Sequence, residues 1–131
     1  MKTLIVDDDF ICRLLLQEML KERGTVHQAA NGKEALDAVR LALESGEPYD
    51  LICMDIMMPE MDGQKAVTEI RAMEQARYGP AVDGAKIVMT TALGDVKNVS
   101  AAYGSFCDAY MVKPIYKDAL VAELRNLKLV E

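Results

Sequence analysis

Five short apolar runs, each followed by a segment with helical spacing, constrain this chain more than any other feature of its sequence. The runs begin at Thr3, Val26, Leu51, Lys86 and Asp108. Most are continuous: Leu4-Ile5-Val6, Leu51-Ile52-Cys53-Met54, Ile87-Val88-Met89 and Ala109-Tyr110-Met111-Val112. A strand that is apolar on both faces suits a parallel sheet covered on both sides. Alternating strands and helices then imply right-handed crossovers and a doubly wound α/β sandwich. In such a sheet, sites lie just beyond the carboxyl ends of the strands.

The intervening segments carry helix signals. Asn31 followed by Glu34 can form a capping box, Leu36, Val39 and Leu43 form a stripe, and Gly46 and Pro48 close the helix. Asp62 can cap the next helix, with its stripe at Val67, Ile70 and Met73. The last helix carries Leu120, Val121, Leu124 and Leu127. A fourth, weaker helical pattern runs from about Val96 to Tyr103 between Gly94 and Gly104. In the first helix, Cys12, Leu16, Met19 and Leu20 share a core face, Leu15 lies at its edge, and Ile11 and Leu14 lie well away from it. Residues 75–85 form a long connection containing Gly79-Pro80 and Gly84, expected as an exposed loop.

The 131 residues fit one domain, expected to span 1–131, and a chain this long buries enough surface for its own core. With 51% hydrophobic and 27% charged residues it reads as globular. The formal net charge of −6, with no basic cluster, argues against nucleic-acid binding and against an anionic membrane surface. No apolar run approaches bilayer length, and carboxylates appear too early for a signal peptide, so a cytoplasmic protein is expected. Cys12, Cys53 and Cys107 lack disulfide or metal-ligand spacing and are expected as small buried residues. His27, on the second strand, is expected to be structural or surface.

The strand ends hold the chemistry. The first strand ends in Asp7-Asp8-Asp9, the third at Asp55, the fourth at Thr90-Thr91 and the fifth at Lys113-Pro114. Each is ordinary alone, since an acidic run after a strand is usually a helix N-terminus with solvated charges. Together they would put several carboxylates, a hydroxyl and one ammonium in a single pocket. Crowded carboxylates repel, and a divalent cation relieves that repulsion. Oxygen ligands with open water positions suit Mg²⁺ or Mn²⁺. A cation and a lysine together can receive a phosphoryl group, and a carboxylate can be its nucleophilic acceptor.

These residues resemble the receiver domain of two-component response regulators over essentially the whole chain. The resemblance is carried by Leu4-Ile5-Val6-Asp7-Asp8, by Gln28-Ala29-Ala30-Asn31-Gly32 with Ala35-Leu36, and by Asp50 through Gly63. It continues in Ile87-Val88-Met89-Thr90-Thr91-Ala92 and Tyr110-Met111-Val112-Lys113-Pro114. It implies a flavodoxin-like three-layer sandwich with a five-stranded parallel sheet in the order 2-1-3-4-5. It implies Asp55 as phosphoacceptor, with Asp7, Asp8, Asp55 and the Met57 backbone carbonyl as metal ligands. Thr91, which immediately precedes Ala92, matches the switch hydroxyl, and Thr90 should point the other way along the strand. Lys113 matches the lysine that pairs with the phosphoryl group, the Lys113–Pro114 bond is expected to be cis, and Tyr110 matches the rotameric aromatic.

The implied function is a signalling switch, not a turnover enzyme: it assists its own phosphorylation and dephosphorylation only. Its phosphodonor would be a histidine kinase or histidine phosphotransfer protein. Its output would pass to an unknown protein target through the face of the fourth helix, fifth strand and fifth helix. Exposed Ile11, Leu14 and Leu15 on the first helix are expected to dock the donor. Asp9 has no family role and is read as a helix cap or rim charge. Met57 and Leu93 flank the path of the hydrolytic water in this family, and two apolar groups there imply slow autodephosphorylation. The chain ends just past the last helix, which is expected of a stand-alone receiver.

Three other functions compete. A Mg²⁺-dependent aspartyl-nucleophile phosphatase or phosphotransferase needs a second acid two residues after the nucleophile, where this chain has Met57. A degenerate receiver serving only as an interaction module would lose the acceptor or the acid pair, and this chain keeps both. Flavin binding would need a phosphate-binding loop where the first strand instead ends in acids.

Overall fold

The computed structural model describes residues 1–58, 61–92 and 107–131. Five parallel strands form one sheet: β1 (Thr3–Val6), β2 (Val26–Ala29), β3 (Leu51–Asp55), β4 (Lys86–Thr91) and β5 (Ala109–Val112). Their order is β2-β1-β3-β4-β5, as expected. Four described helices connect or follow them: α1 (Phe10–Leu20), α2 (Gly32–Glu44), α3 (Gly63–Tyr78) and α4 (Lys117–Asn126). The pattern expected near Val96–Tyr103, together with Leu93, lies outside the described residues.

Continuous apolar strands produce two cores, because successive side chains face opposite sides of a sheet. Leu4, Val6, Ile52, Met54, Ile87 and Met89 pack under Val39, Leu43, Val67 and Ile70 of α2 and α3. Ile5, Leu51, Cys53, Val88 and Met111 pack on the other side under Leu16 and Leu20 of α1 and Leu120 and Leu124 of α4. Both faces of the central strands are thus dry, which explains why their sequence does not alternate.

The helix starts follow local chemistry. Asp9 Oδ1 accepts from Ile11 N at 2.9 Å and caps α1, so the third acid of the run has a structural task. Asn31 Oδ1 accepts from Glu34 N at 2.9 Å, and Glu34 Oε1 reaches back to Ala30 N at 2.8 Å. This is a capping box closed one residue earlier than the usual one. Asp62 Oδ1 caps α3 through Lys65 N at 2.9 Å.

The connection after α3 differs from the loop expected over 75–85. Nothing breaks the helix before Gly79, so α3 continues through Tyr78, and the loop proper starts at Gly79 with φ +94°. Its far end is anchored. Buried Glu74 accepts from Ala85 N at 2.7 Å and from Arg71 Nη1 at 2.8 Å. Arg71 also donates to Ala85 O at 2.8 Å and to Asp108 Oδ2 at 3.1 Å, tying α3 to the starts of β4 and β5.

The expectation that all three cysteines are buried holds only for Cys53. Cys12 and Cys107 are half-buried, the first because α1 turns it toward the sheet's carboxyl edge and not into the core. His27 is exposed, and its Nδ1 lies 2.7 Å from Tyr49 Oη. No described helix is long and apolar enough to cross a membrane.

Candidate functional site

The residues expected at the site are positioned by strand parity. Ile5, Cys53, Val88 and Met111 face α1 and α4. Two residues further along each strand stand Asp7, Asp55, Thr90 and Lys113, so all four emerge on that side at the carboxyl edge. Thr91 and Tyr110 belong to the opposite side, where Tyr110 packs against the α2–α3 core. The two threonines therefore do point apart.

Asp7 is fully buried, and Asp55 retains 4% of its surface. One oxygen from each of Asp7, Asp8 and Asp55 lies within 4.8 Å of the others. Lys113 Nζ stands 2.9 Å from Asp7 Oδ2 and 3.4 Å from Asp55 Oδ1. Asp7 Oδ1 accepts from Asp9 N at 2.9 Å. Its other oxygen, Oδ2, is buried and accepts no hydrogen bond of good geometry, so the Lys113 contact is an ion pair alone. The Asp8 carboxylate is exposed and has no hydrogen-bond or ion-pair partner among the described residues.

The charges are unbalanced: three carboxylates face one ammonium. Burial, and then the nearby charge of Asp7, push the Asp55 carboxyl up to about 6, and Lys113 only partly opposes this. At Lys113, burial works against the charged form, but contact with Asp7 and the charge of Asp55 outweigh it and hold its pKa above the ordinary value. Crowded carboxylate oxygens, one of them buried and unsatisfied, suit a hard divalent cation such as Mg²⁺ or Mn²⁺.

Close backbone packing shapes the cleft. Gly63 N donates to Ile56 O at 2.9 Å, and a Cβ on Gly63 would come within 2.5 Å of Asp55 O. Only glycine lets α3 start so near Asp55. At β5, Lys113 N donates to Thr91 O at 2.8 Å, and the following Lys113–Pro114 bond is cis, as expected. The Thr91 hydroxyl donates to Ala92 O at 3.2 Å. Burial pushes the Tyr110 hydroxyl up to about 12.

Around the cleft, Ile11, Leu14 and Leu15 are exposed, as expected of the outer face of α1. Phe10, Met57 and Tyr116 extend this apolar rim, each at least 60% exposed. A cavity of about 90 Å³ opens between Leu15, Leu16 and Met19 of α1 and Pro114 and Ile115, with Asp7 and Lys113 at its base.

Arg13 is not among the residues expected at the site. Its Nη1 nevertheless donates to the Asp7 backbone carbonyl at 2.6 Å, and its Nε to Gln28 Oε1 at 3.2 Å. Its place just past the acid run was the available signal, but on a helix surface an arginine is usually solvated.

The chain and its fold have counterparts among known proteins. The transcriptional regulatory protein SrrA of Staphylococcus aureus is 37% identical over 125 residues, which is 95% of this chain and 46% of SrrA. The chain thus spans about half the length of the curated relatives it matches. The response regulator TrrA of Thermotoga maritima, solved with Mg²⁺ and BeF, superposes with a TM-score of 0.72 at 33% identity, covering 96% of this chain and 97% of that one. The Vibrio cholerae chemotaxis protein CheY4 superposes with a TM-score of 0.70 at 27% identity, over 95% and 96% of the two chains. The model of the response regulator receiver domain matches residues 3–125. With the family model matching nearly the whole chain and the sheet order that of the expected fold, this chain belongs to the receiver domain family of two-component response regulators.

Proposed function

We propose that residues 1–131 form one phosphorylation-activated switch that accepts a phosphoryl group on Asp55 from a histidine kinase or histidine phosphotransfer protein. The carrying observation is the meeting of Asp7, Asp8 and Asp55 with Lys113 Nζ, which is 3.4 Å from the acceptor oxygen. An Asp55 oxygen attacks the phosphorus of the donor's phosphoimidazole. The new P–O bond forms as the P–N bond breaks, and the imidazole leaves with its electron pair. Asp7, Asp8, Asp55 and the Met57 backbone carbonyl would hold Mg²⁺ or Mn²⁺, which when bound offsets the charge of the carboxylates and of the incoming phosphoryl oxygens. Lys113 moves from pairing with carboxylates to pairing with the phosphoryl group.

Phosphorylation adds charge and acceptor oxygens at one point. Thr91 leaves the Ala92 carbonyl to bond the new group, and Tyr110, on the same side of the sheet, repacks. The output is read by a protein partner on the face of β5 and α4. The setting is the cytoplasm, with no nucleic acid or membrane contacted by this unit. Exposed Ile11, Leu14 and Leu15 dock the donor.

The test is labelling with acetyl phosphate. The wild type should be labelled with Mg²⁺ and not with EDTA, and Asp55→Asn should not be labelled. Labelling that persists in Asp55→Asn contradicts the assignment. Steady hydrolysis of phosphomonoesters would favour the phosphatase reading instead.

A further inference from the structure

We infer that Arg13 is a positioning residue for the metal site: seated on Gln28, it fixes the Asp7–Asp8 peptide and thereby aims the Asp8 carboxylate. The inference rests on the proposed Mg²⁺ site and assigns it a control outside its ligands.

Asp8 has an unusual position among the three acids. Asp7 and Asp55 are buried and held by their surroundings, whereas Asp8 is exposed and its carboxylate has no partner among the described residues. No contact among the described residues holds its side chain, so what the fold fixes is the start and heading of its Cα–Cβ bond, which the backbone sets. That backbone starts with the peptide joining Asp7 to Asp8, a rigid plane. The plane has one carbonyl, Asp7 O, and Arg13 Nη1 donates to it at 2.6 Å. Upstream, Asp7 N donates to Ala29 O at 3.2 Å. Downstream, Asp9 N donates to Asp7 Oδ1 at 2.9 Å, and Asp9 caps α1. The Arg13 bond is therefore the side-chain contact that fixes the plane immediately before Asp8.

The guanidinium is itself held. Nε donates to Gln28 Oε1 at 3.2 Å, and Gln28 Nε2 in turn bonds Gln17 Oε1 of α1. The Phe10 ring lies 5.6 Å from the guanidinium carbon, within cation–π range. Arg13 thus spans from α1 to β2, with one arm on the acid turn. A planar fork with several donors can serve both partners at once, and a lysine ammonium reaches one at a time. Groups that orient metal ligands without touching the metal typically change affinity about 10–100-fold when removed.

The experiment is calorimetric titration of the intact chain with MgCl₂ alone, without a phosphodonor. Arg13→Met keeps an aliphatic stem on α1 and removes the guanidinium, with its contacts to Asp7 O, Gln28 and Phe10. It should weaken Mg²⁺ binding at least about tenfold. Arg13→Lys should recover part of that loss. Gln28→Leu should weaken binding less, and its effect should not add to that of Arg13→Met, because both act through one contact. Labelling by acetyl phosphate should fall at low Mg²⁺ and return to the wild-type rate at saturating Mg²⁺. Asp8→Asn provides the reference loss. Arg13→Met binding within twofold of wild type, while Asp8→Asn binding collapses, would overturn the inference. So would a lowered melting temperature with unchanged Mg²⁺ affinity, or a defect seen only with a protein donor. If the wild type itself binds no Mg²⁺, the proposed function fails first and takes this inference with it.

Discussion

Burial beside Asp7 holds the Asp55 carboxyl at about 6, so ionising it disfavours the metal-free fold. The sign follows from linkage. The folded value lies above the ordinary carboxyl value of 3.8, so the folded state binds the proton more tightly between the two. The group's penalty is absent below about pH 4 and complete above about pH 6. Asp55→Asn should therefore stabilise the metal-free protein at pH 7 by about 1–3 kcal/mol and change little at pH 4. Thermal melts in EDTA at the two pH values check this, and saturating Mg²⁺ should shrink the difference. A destabilised Asp55→Asn at pH 7 would show that Lys113 already balances the site. Met57, 63% exposed two residues after Asp55, has no group to orient a water. The phosphoryl mark should persist for minutes or longer in purified protein with Mg²⁺, followed by loss of label after donor removal. Decay within seconds would contradict it.

At the scale of elements, α1 divides its work between two sides. Leu16 and Leu20 are buried under the sheet, whereas Ile11 and Leu14 remain exposed beside the acid turn. Replacing both with lysine should leave stability within about 0.5 kcal/mol, as exposed substitutions usually do. Phosphotransfer from the cognate donor should fall about tenfold, which is 1.4 kcal/mol of transition-state binding. Labelling by acetyl phosphate should not change. Equal transfer by mutant and wild type would remove α1 as the docking helix.

What was legible in the sequence divides along the same lines. Strand runs and caps are local signals, so Asn31, Asp62 and all five strand starts could be read to within a residue. The end of α3 could not, because Gln75 through Tyr78 carry no signal of their own and the helix stops only at Gly79. Arg71 and Glu74 stand one helical turn apart, but the network's links to Asp108 and Ala85 join residues distant in sequence and leave no periodic trace. Arg13 was hidden for a related reason: its partner is a backbone carbonyl, which every residue has. The resemblance named the site acids, and strand parity then put Asp7, Asp55 and Lys113 on one side of the sheet.

Across the whole molecule, two dry cores hold the sheet, and its carboxyl edge gathers three carboxylates around one ammonium. Under the proposed function, that arrangement lets a charge added at Asp55 act on Lys113 and Thr91 and repack Tyr110 at the margin of the core. It also makes the identity of the acceptor the claim on which everything else depends. The direct measurement is to phosphorylate the chain with acetyl phosphate and Mg²⁺, reduce it with borohydride, and map the peptides by mass. An acyl phosphate on aspartate is reduced to homoserine, so position 55 should carry homoserine and Asp7, Asp8 and Asp9 should remain intact. An unchanged Asp55 with reduction at another acid, or label on a side chain that borohydride does not reduce, would contradict the account.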